Sequence, residues 1–215
     1  IVFVVRKGNP RSISNWPDLA SEGVGVVTTN PKTSGGARWN YLAAWAWAHH
    51  EFSGDETRIK SFIATLYGNV SVLDAGARAS ATTFAQREIG DVLISWENEA
   101  YLLQKAFPGA GLEIVLPSIS ILAEPPVAVV DANVDAHGTR KAAETYLQYL
   151  YSKEGQNIIA RHKFRPAMPE IVDEKPLPEL TLVTIDDPMF GGWEKAQPLH
   201  FGPGGIFDQL YAPGG

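Results

Sequence analysis

No cysteine occurs in the chain, so neither a disulfide framework nor a thiolate metal site is open to it. Positive charge is also in short supply: 18 Lys and Arg stand against 24 Asp and Glu, a formal net charge of −6. No run of Lys or Arg offsets that balance locally, which argues against nucleic acid as a partner. Long apolar runs are missing as well. Stretches such as Val127 to Val130 and Leu42 to Ala48 fall far short of the roughly 20 residues a membrane-spanning helix needs, so a soluble protein is expected. Two catalytic signatures are absent too. The glycines after Ser34 lack the following lysine of a nucleotide P-loop. Ser34 also lacks the flanking glycines of a nucleophile elbow, so Ser34 and His137 do not read as a hydrolase pair.

What is present supports a packed core. With 215 residues, 45% of them hydrophobic, the chain has the length of one domain or two lobes. It opens on Ile1-Val2-Phe3-Val4-Val5, which reads as a buried strand already under way in mid-fold, with no signal peptide ahead of it. A short capped helix is predicted at Ser14–Leu19, then a strand at Val24–Thr28. A helix follows from Ala37 to Glu51, with Leu42, Ala43, Trp45 and Ala46 recurring at helical spacing. Glu56–Tyr67 forms the next helix, closed by Gly68. Val70–Leu73 is too short to assign, and a helix is expected from about Ala79 to Glu88. Val92–Trp96 reads as a strand ending at Glu97-Asn98-Glu99, with a helix near Glu99–Ala106. Such alternation predicts an α/β layer architecture with a mainly parallel sheet, in which ligands gather beyond the carboxyl ends of the strands. Pro125-Pro126 confines the apolar run from Ile119 to Val130 to an edge or connecting strand. Thr139–Ala160 is predicted as one long helix with Ala143, Tyr146, Leu147 and Leu150 on a common face. A last helical segment is expected at Ile206–Tyr211.

Two small-residue turns stand out, each opening a helix and each followed by an arginine: Asn30-Pro31-Lys32-Thr33-Ser34-Gly35-Gly36-Ala37-Arg38 and Asp74-Ala75-Gly76-Ala77-Arg78. The first turn of a helix leaves backbone N–H groups without partners and carries the positive end of the macrodipole. Glycine and alanine there let an oxyanion approach bare amides. Two such starts suggest an anion cradle, although Ser34 taken alone reads equally well as a simple helix cap. Trp39, Trp45 and Trp47 read as packing residues, and His49-His50 as a helix-end pair suited to the dipole. Asp186-Asp187 and Glu97 with Glu99 read as solvated or connecting carboxylates.

These residues resemble a known family, the periplasmic sulfate- and thiosulfate-binding proteins that feed ABC uptake transporters. The resemblance is carried by Asn30 to Trp45, by Gly90-Asp91-Val92-Leu93 with Trp96-Glu97-Asn98-Glu99, and by Asp131-Ala132-Asn133-Val134-Asp135-Ala136-His137-Gly138-Thr139. Phe190-Gly191-Gly192-Trp193 and Gly205-Ile206-Phe207-Asp208 extend it toward the C-terminus.

The resemblance implies an α/β, periplasmic binding protein-like two-lobed fold of type II, closing over its ligand. It implies a ligand role for the Ser34 hydroxyl, for the N–H groups of Gly35, Gly36 and Ala77, and for the Trp96 indole. Arg38 and Arg78 are implied to steady the peptide units behind the anion. Neither a metal nor another cofactor is implied, and no catalytic residue. The implied protein is an exported, soluble periplasmic receptor whose partners are sulfate or thiosulfate and the membrane permease of an ABC transporter. An enzyme acting on a phosphorylated or sulfated small molecule, and a receptor for molybdate or phosphate, are the competing readings. Family members continue upstream of the position of Ile1, and that portion supplies further ligand contacts. Residues 1–99 are accordingly expected to form one nearly complete lobe, and 100–215 the C-terminal portion of the other plus a tail. Such a chain should hold sulfate weakly unless a companion chain supplies the N-terminal part of that other lobe.

Overall fold

The structure is a computed structural model and describes residues 1–211. It divides into two compact units, one of Ile1–Ala123 together with the chain from Leu180 onward, the other Glu124–Glu179. The dividing points therefore lie at residues 123/124 and 179/180. The reason is strand pairing: residues 113–115 join the same sheet as residues 2–5.

The first unit is built on strands β1 (Val2–Val5), β2 (Val26–Thr29), β3 (Val70–Asp74), β4 (Val92–Ser95) and β5 (Glu113–Val115), in the spatial order β3-β2-β4-β1-β5. β2 pairs in parallel with both β3 and β4, whereas β1 pairs antiparallel with β4 and β5. Four strands thus share one direction and β1 runs against them. The expected mainly parallel sheet holds with that one reversal, which hydrophobic patterning does not encode.

Helices α1 (Trp16–Leu19), α2 (Gly35–Glu51), α3 (Glu56–Gly68), α4 (Ala77–Ala85) and α5 (Glu97–Ala106) cover the two faces. Alternating side chains of β1 feed both. Phe3 and Val5 pack in the core formed with α1, α2 and α3, while Val2 and Val4 pack with Phe84, Ala100 and Leu103 of α4 and α5. A strand buried on both faces reads as a continuous apolar run, as Val-Phe-Val-Val does. α1 is short but firmly anchored. The Asp18 carboxylate accepts from the Ser14 and Asn15 amides at 2.7 and 2.9 Å, and the Trp16 indole donates to the Ile119 carbonyl at 2.8 Å.

The chain then forms a two-stranded parallel pair, β6 (Ser120–Ile121) with β7 (Leu182–Val183), either side of the second unit. Pro125-Pro126 lies beyond β6, as the edge or connecting role of that segment requires. The second unit contains α6 (Asp131–Ala136), α7 (Arg140–Tyr149) and α8 (Lys153–Arg161). The single long helix expected over Thr139–Ala160 is therefore two. Ser152 breaks it: its hydroxyl donates to the Tyr149 carbonyl at 2.7 Å and accepts from the Gly155 amide at 3.1 Å, capping α8. Gly155 is required there because a Cβ would collide with the Tyr149 carbonyl. On α7, Ala143 and Leu147 are half-buried, as is Leu150 just past its end, and Tyr146 is exposed.

From Leu180 the chain returns to the first unit with α9 (Trp193–Ala196), a π-turn at Gln197–Phe201 and α10 (Ile206–Leu210). This return segment explains why α2 is apolar all round: its outer side is covered by Trp193 on Trp39, and by His200, Phe201 and Phe207 around Tyr41. Trp39, Trp45 and Trp47 are all buried, the packing role expected of them.

His200 sits inside that aromatic cluster, 1% exposed, with its Nδ1 3.1 Å from the Tyr41 hydroxyl. Burial, and then the Lys60 ammonium, pull its pKa down to about 4. An unfolded histidine takes a proton near pH 6.5, so the folded state refuses a proton that the unfolded state accepts. Stability is full above that value and falls as pH drops toward about 4, by about 3 kcal/mol in all. Urea unfolding at pH 7 and pH 4.5 should show that loss in the native chain and a smaller one in His200→Gln. Equal losses in both would assign the acid sensitivity elsewhere.

Candidate functional site

The carboxyl ends of the parallel strands β2, β3 and β4 lead into α2, α4 and α5, and the two glycine turns lie side by side there. They are tied together by backbone and side-chain bonds. The Asn30 amide donates to the Asp74 carbonyl at 2.8 Å, and the Thr33 hydroxyl reaches the Ala75 carbonyl at 3.3 Å. Within the first turn, the Ser34 amide donates to the Asn30 carbonyl at 2.9 Å and the Lys32 amide to Asn30 Oδ1 at 2.8 Å. Lys32 Nζ pairs with the Asp208 carboxylate at 2.9 Å, fastening the turn to α10.

Ser34 is the N-cap of α2, its Oγ accepting from the Ala37 amide at 3.4 Å. That bond uses a lone pair and leaves the hydroxyl proton free to donate, so capping and ligand binding are compatible in one side chain. Gly35 and Gly36 open α2 and Ala77 opens α4 behind Gly76. Their N–H groups find no hydrogen-bond partner among the described residues, as befits the first turn of a helix. A Cβ on Gly36 would stand 3.3 Å from Trp96 Nε1 and 3.7 Å from Ser34 Oγ, which measures how closely these groups gather. A cavity of about 30 Å³ is lined by Gly36, Ala77 and Trp96 together with Thr29, Asn40, Ser80, Leu93, Ile94 and Ser95. No carboxylate lines it; neither Asp74 nor Glu97 is among these residues.

Two predicted roles look different in the structure. The Trp96 indole is at the site, but its Nε1–H donates to the Gly36 carbonyl at 3.1 Å, so facing an anion requires it to leave or share that bond. The Arg78 side chain is exposed on α4 and makes no hydrogen bond or ion pair among the described residues. Arg38 Nε donates to the Pro31 carbonyl at 3.1 Å, within the first turn. Sequence reading missed Thr33, Asn40 and Ser80. Asn40 carried a signal, being the one strongly polar residue in the apolar run Trp39–Ala48. Among the described residues no cluster of three His, Asp or Glu could hold a metal ion, and no helix is long and apolar enough to cross a membrane.

Residues 1–165 match the family model for bacterial extracellular solute-binding proteins. The chain belongs to that family. The sulfate-binding protein of Escherichia coli K12 is 55% identical over 212 residues, covering 98% of this chain and 64% of that protein. The thiosulfate-binding protein of Pseudomonas aeruginosa is 48% identical, covering 99% of this chain and 64% of that protein. This chain thus spans just under two thirds of the length of these relatives. Among solved structures, the sulfate-binding protein SubI from Mycobacterium tuberculosis superposes with a TM-score of 0.74 at 31% identity, covering 93% of this chain and 68% of that one. The periplasmic binding protein AfuA from Actinobacillus pleuropneumoniae, at 18% identity and a TM-score of 0.64, shares the fold alone. The fold class is the type II periplasmic binding-protein class.

Proposed function

We propose that this chain acts in a noncatalytic periplasmic receptor that binds sulfate or thiosulfate and delivers it to the permease of an ABC transporter. The observation that carries this reading is the side-by-side placement of the α2 and α4 N-termini, with the Gly35, Gly36 and Ala77 amides unpaired among the described residues. Relatives named for sulfate and for thiosulfate binding support the ligand class.

The energetics decide what such a site must provide. Stripping water from a dianion is very costly, since even one isolated charge loses tens of kcal/mol on a Born estimate. Hydrogen bonds to a charged group contribute roughly 1.5–3 kcal/mol each. A helix terminus adds about 0.3–1 kcal/mol, rising to ~2 when partly buried. The three amides, the Ser34 hydroxyl and the Trp96 indole offset much of the penalty as distributed dipoles, with Arg38 acting on the turn and not on the ion. Binding by a companion segment that supplies further donors would tighten the site. Donor-only coordination also favours sulfate over phosphate, which near neutral pH retains a proton part of the time and needs an acceptor for it.

Thermal shift with sulfate, thiosulfate, molybdate, phosphate and small organic sulfate and phosphate esters tests the reading. A receptor is stabilised by bare sulfate or thiosulfate in proportion to its affinity; a response only to organic sulfates or phosphates would make the cradle part of an enzyme site. Trp96→Phe removes the indole donor and keeps most of the packing. Its sulfate affinity, measured by calorimetric titration, should fall about tenfold or more, and an unchanged value would take Trp96 out of the ligand set.

A further inference from the structure

Behind the cradle, the cavity beside Gly36, Ala77 and Trp96 reaches two side chains that anion binding leaves unexplained. Asn40 is 3% exposed on α2; its Nδ2 donates to Thr28 Oγ1 and to the Ile94 carbonyl, both at 3.3 Å, while its Oδ1 has no partner among the described residues. Ser80 is 2% exposed on α4, and its Oγ likewise has no partner among the described residues. Both residues line the same cavity. Buried polar atoms in native proteins are hydrogen-bonded to protein or to ordered water, because an orphaned one forfeits its hydration.

The cavity, about 30 Å³, has room on the order of one water molecule, and a buried water requires two to four polar partners. Asn40 Oδ1 and Ser80 Oγ are two. Ser95 Oγ, which also lines the cavity and donates to the Trp96 carbonyl at 3.1 Å, keeps lone pairs for a third.

We infer that this cavity is the site of one ordered water that donates to Asn40 Oδ1 and bonds to Ser80 Oγ, linking α2 to α4 beneath the amides of Gly36 and Ala77. Asn40 and Ser80 are then positioning residues: below the Asn30–Asp74 and Thr33–Ala75 bonds that tie the turns together, the bridge adds a second link between the two helices. The affinity consequence rests on the proposed anion-binding function; the water site itself does not.

The first test is a crystal structure of the native chain at a resolution that shows ordered solvent. It should place a water within hydrogen-bond distance of both oxygens. A cavity closed by side chains, or Ser80 Oγ bonded to the anion with no water between, overturns the inference. The second is a double-mutant cycle on sulfate affinity with Ser80→Ala, Asn40→Ala and the pair. Ser80→Ala should weaken binding about three- to tenfold, the order of one weakened buried hydrogen bond, and should shrink the sulfate-induced rise in Tm measured from that variant's own apo value. Through a shared water, the pair should cost little more than one change alone, whereas additive losses would mean the two act separately. If Asn40→Ala does not fold, the Ser80→Ala affinity and the solvent density decide the matter. A native chain that shows the water but ignores sulfate would defeat the functional reading and leave the water site standing.

Discussion

Gly36→Asp should abolish sulfate binding while leaving the chain folded. The new Cβ would lie 3.3 Å from Trp96 Nε1 and 3.7 Å from Ser34 Oγ, so the carboxylate enters the cradle in place of the ligand. Two unit charges about 4 Å apart repel by about 4 kcal/mol at an effective dielectric near 20, and the ligand carries two charges. That is a loss of about a thousandfold or more in affinity. The helix responds with the opposite sign, because an acid in the first turn gains about 0.3–1 kcal/mol from the macrodipole. Gly36→Asn supplies the control, having the same crowding without the charge, and should retain much more affinity than the acid. Calorimetric titration and thermal unfolding of both variants check this. Equal affinities for the two would mean that no anion sits against this turn.

Trp16→Ala should cost about 3–5 kcal/mol of stability, the range for emptying a large aromatic site. Trp16 is fully buried and meets Phe3 edge-to-face with ring centroids 4.8 Å apart. Its indole also holds the Ile119 carbonyl at 2.8 Å, so truncation leaves a buried acceptor unpaired as well as a cavity. Phe3 lies on β1, the reversed strand joining β4 to β5, so the loss falls on an interior strand of the sheet. A domain with ordinary stability of about 5–15 kcal/mol would be brought close to its threshold. Urea midpoints for the native chain, Trp16→Phe and Trp16→Ala should fall in that order. A loss below about 1 kcal/mol for the alanine, in the range of surface substitutions, would show that this core is not the stabilising one.

Much of this fold was legible because its signals are local. The doubly buried strand Val2–Val5, the capped start of α1 and the glycine turns each have a sequence cause that operates over a few residues. What was hidden depends on partners distant in the chain. The reversal of β1 is set by its neighbours β4 and β5. The all-round burial of α2 requires the return segment that brings His200 and Phe207 back to Tyr41. The break after Tyr149 was written locally in Ser152 and Gly155, but continuous apolar spacing masked it. At the site, the turns and their bare amides could be read from residue size and the physics of helix ends. The donor bond from Trp96 to Gly36 and the convergence of Asn40 and Ser80 join residues 40–60 positions apart along the chain, and no periodicity reports that.

Amide proton shifts during a sulfate titration test the central claim most directly, because they report on the backbone groups themselves. The Gly35, Gly36 and Ala77 amide protons should move downfield together along one saturating curve, with phosphate producing smaller movements at the same concentration. Shifts confined to other residues, or none at these three, would contradict an oxyanion held by the α2 and α4 N-termini.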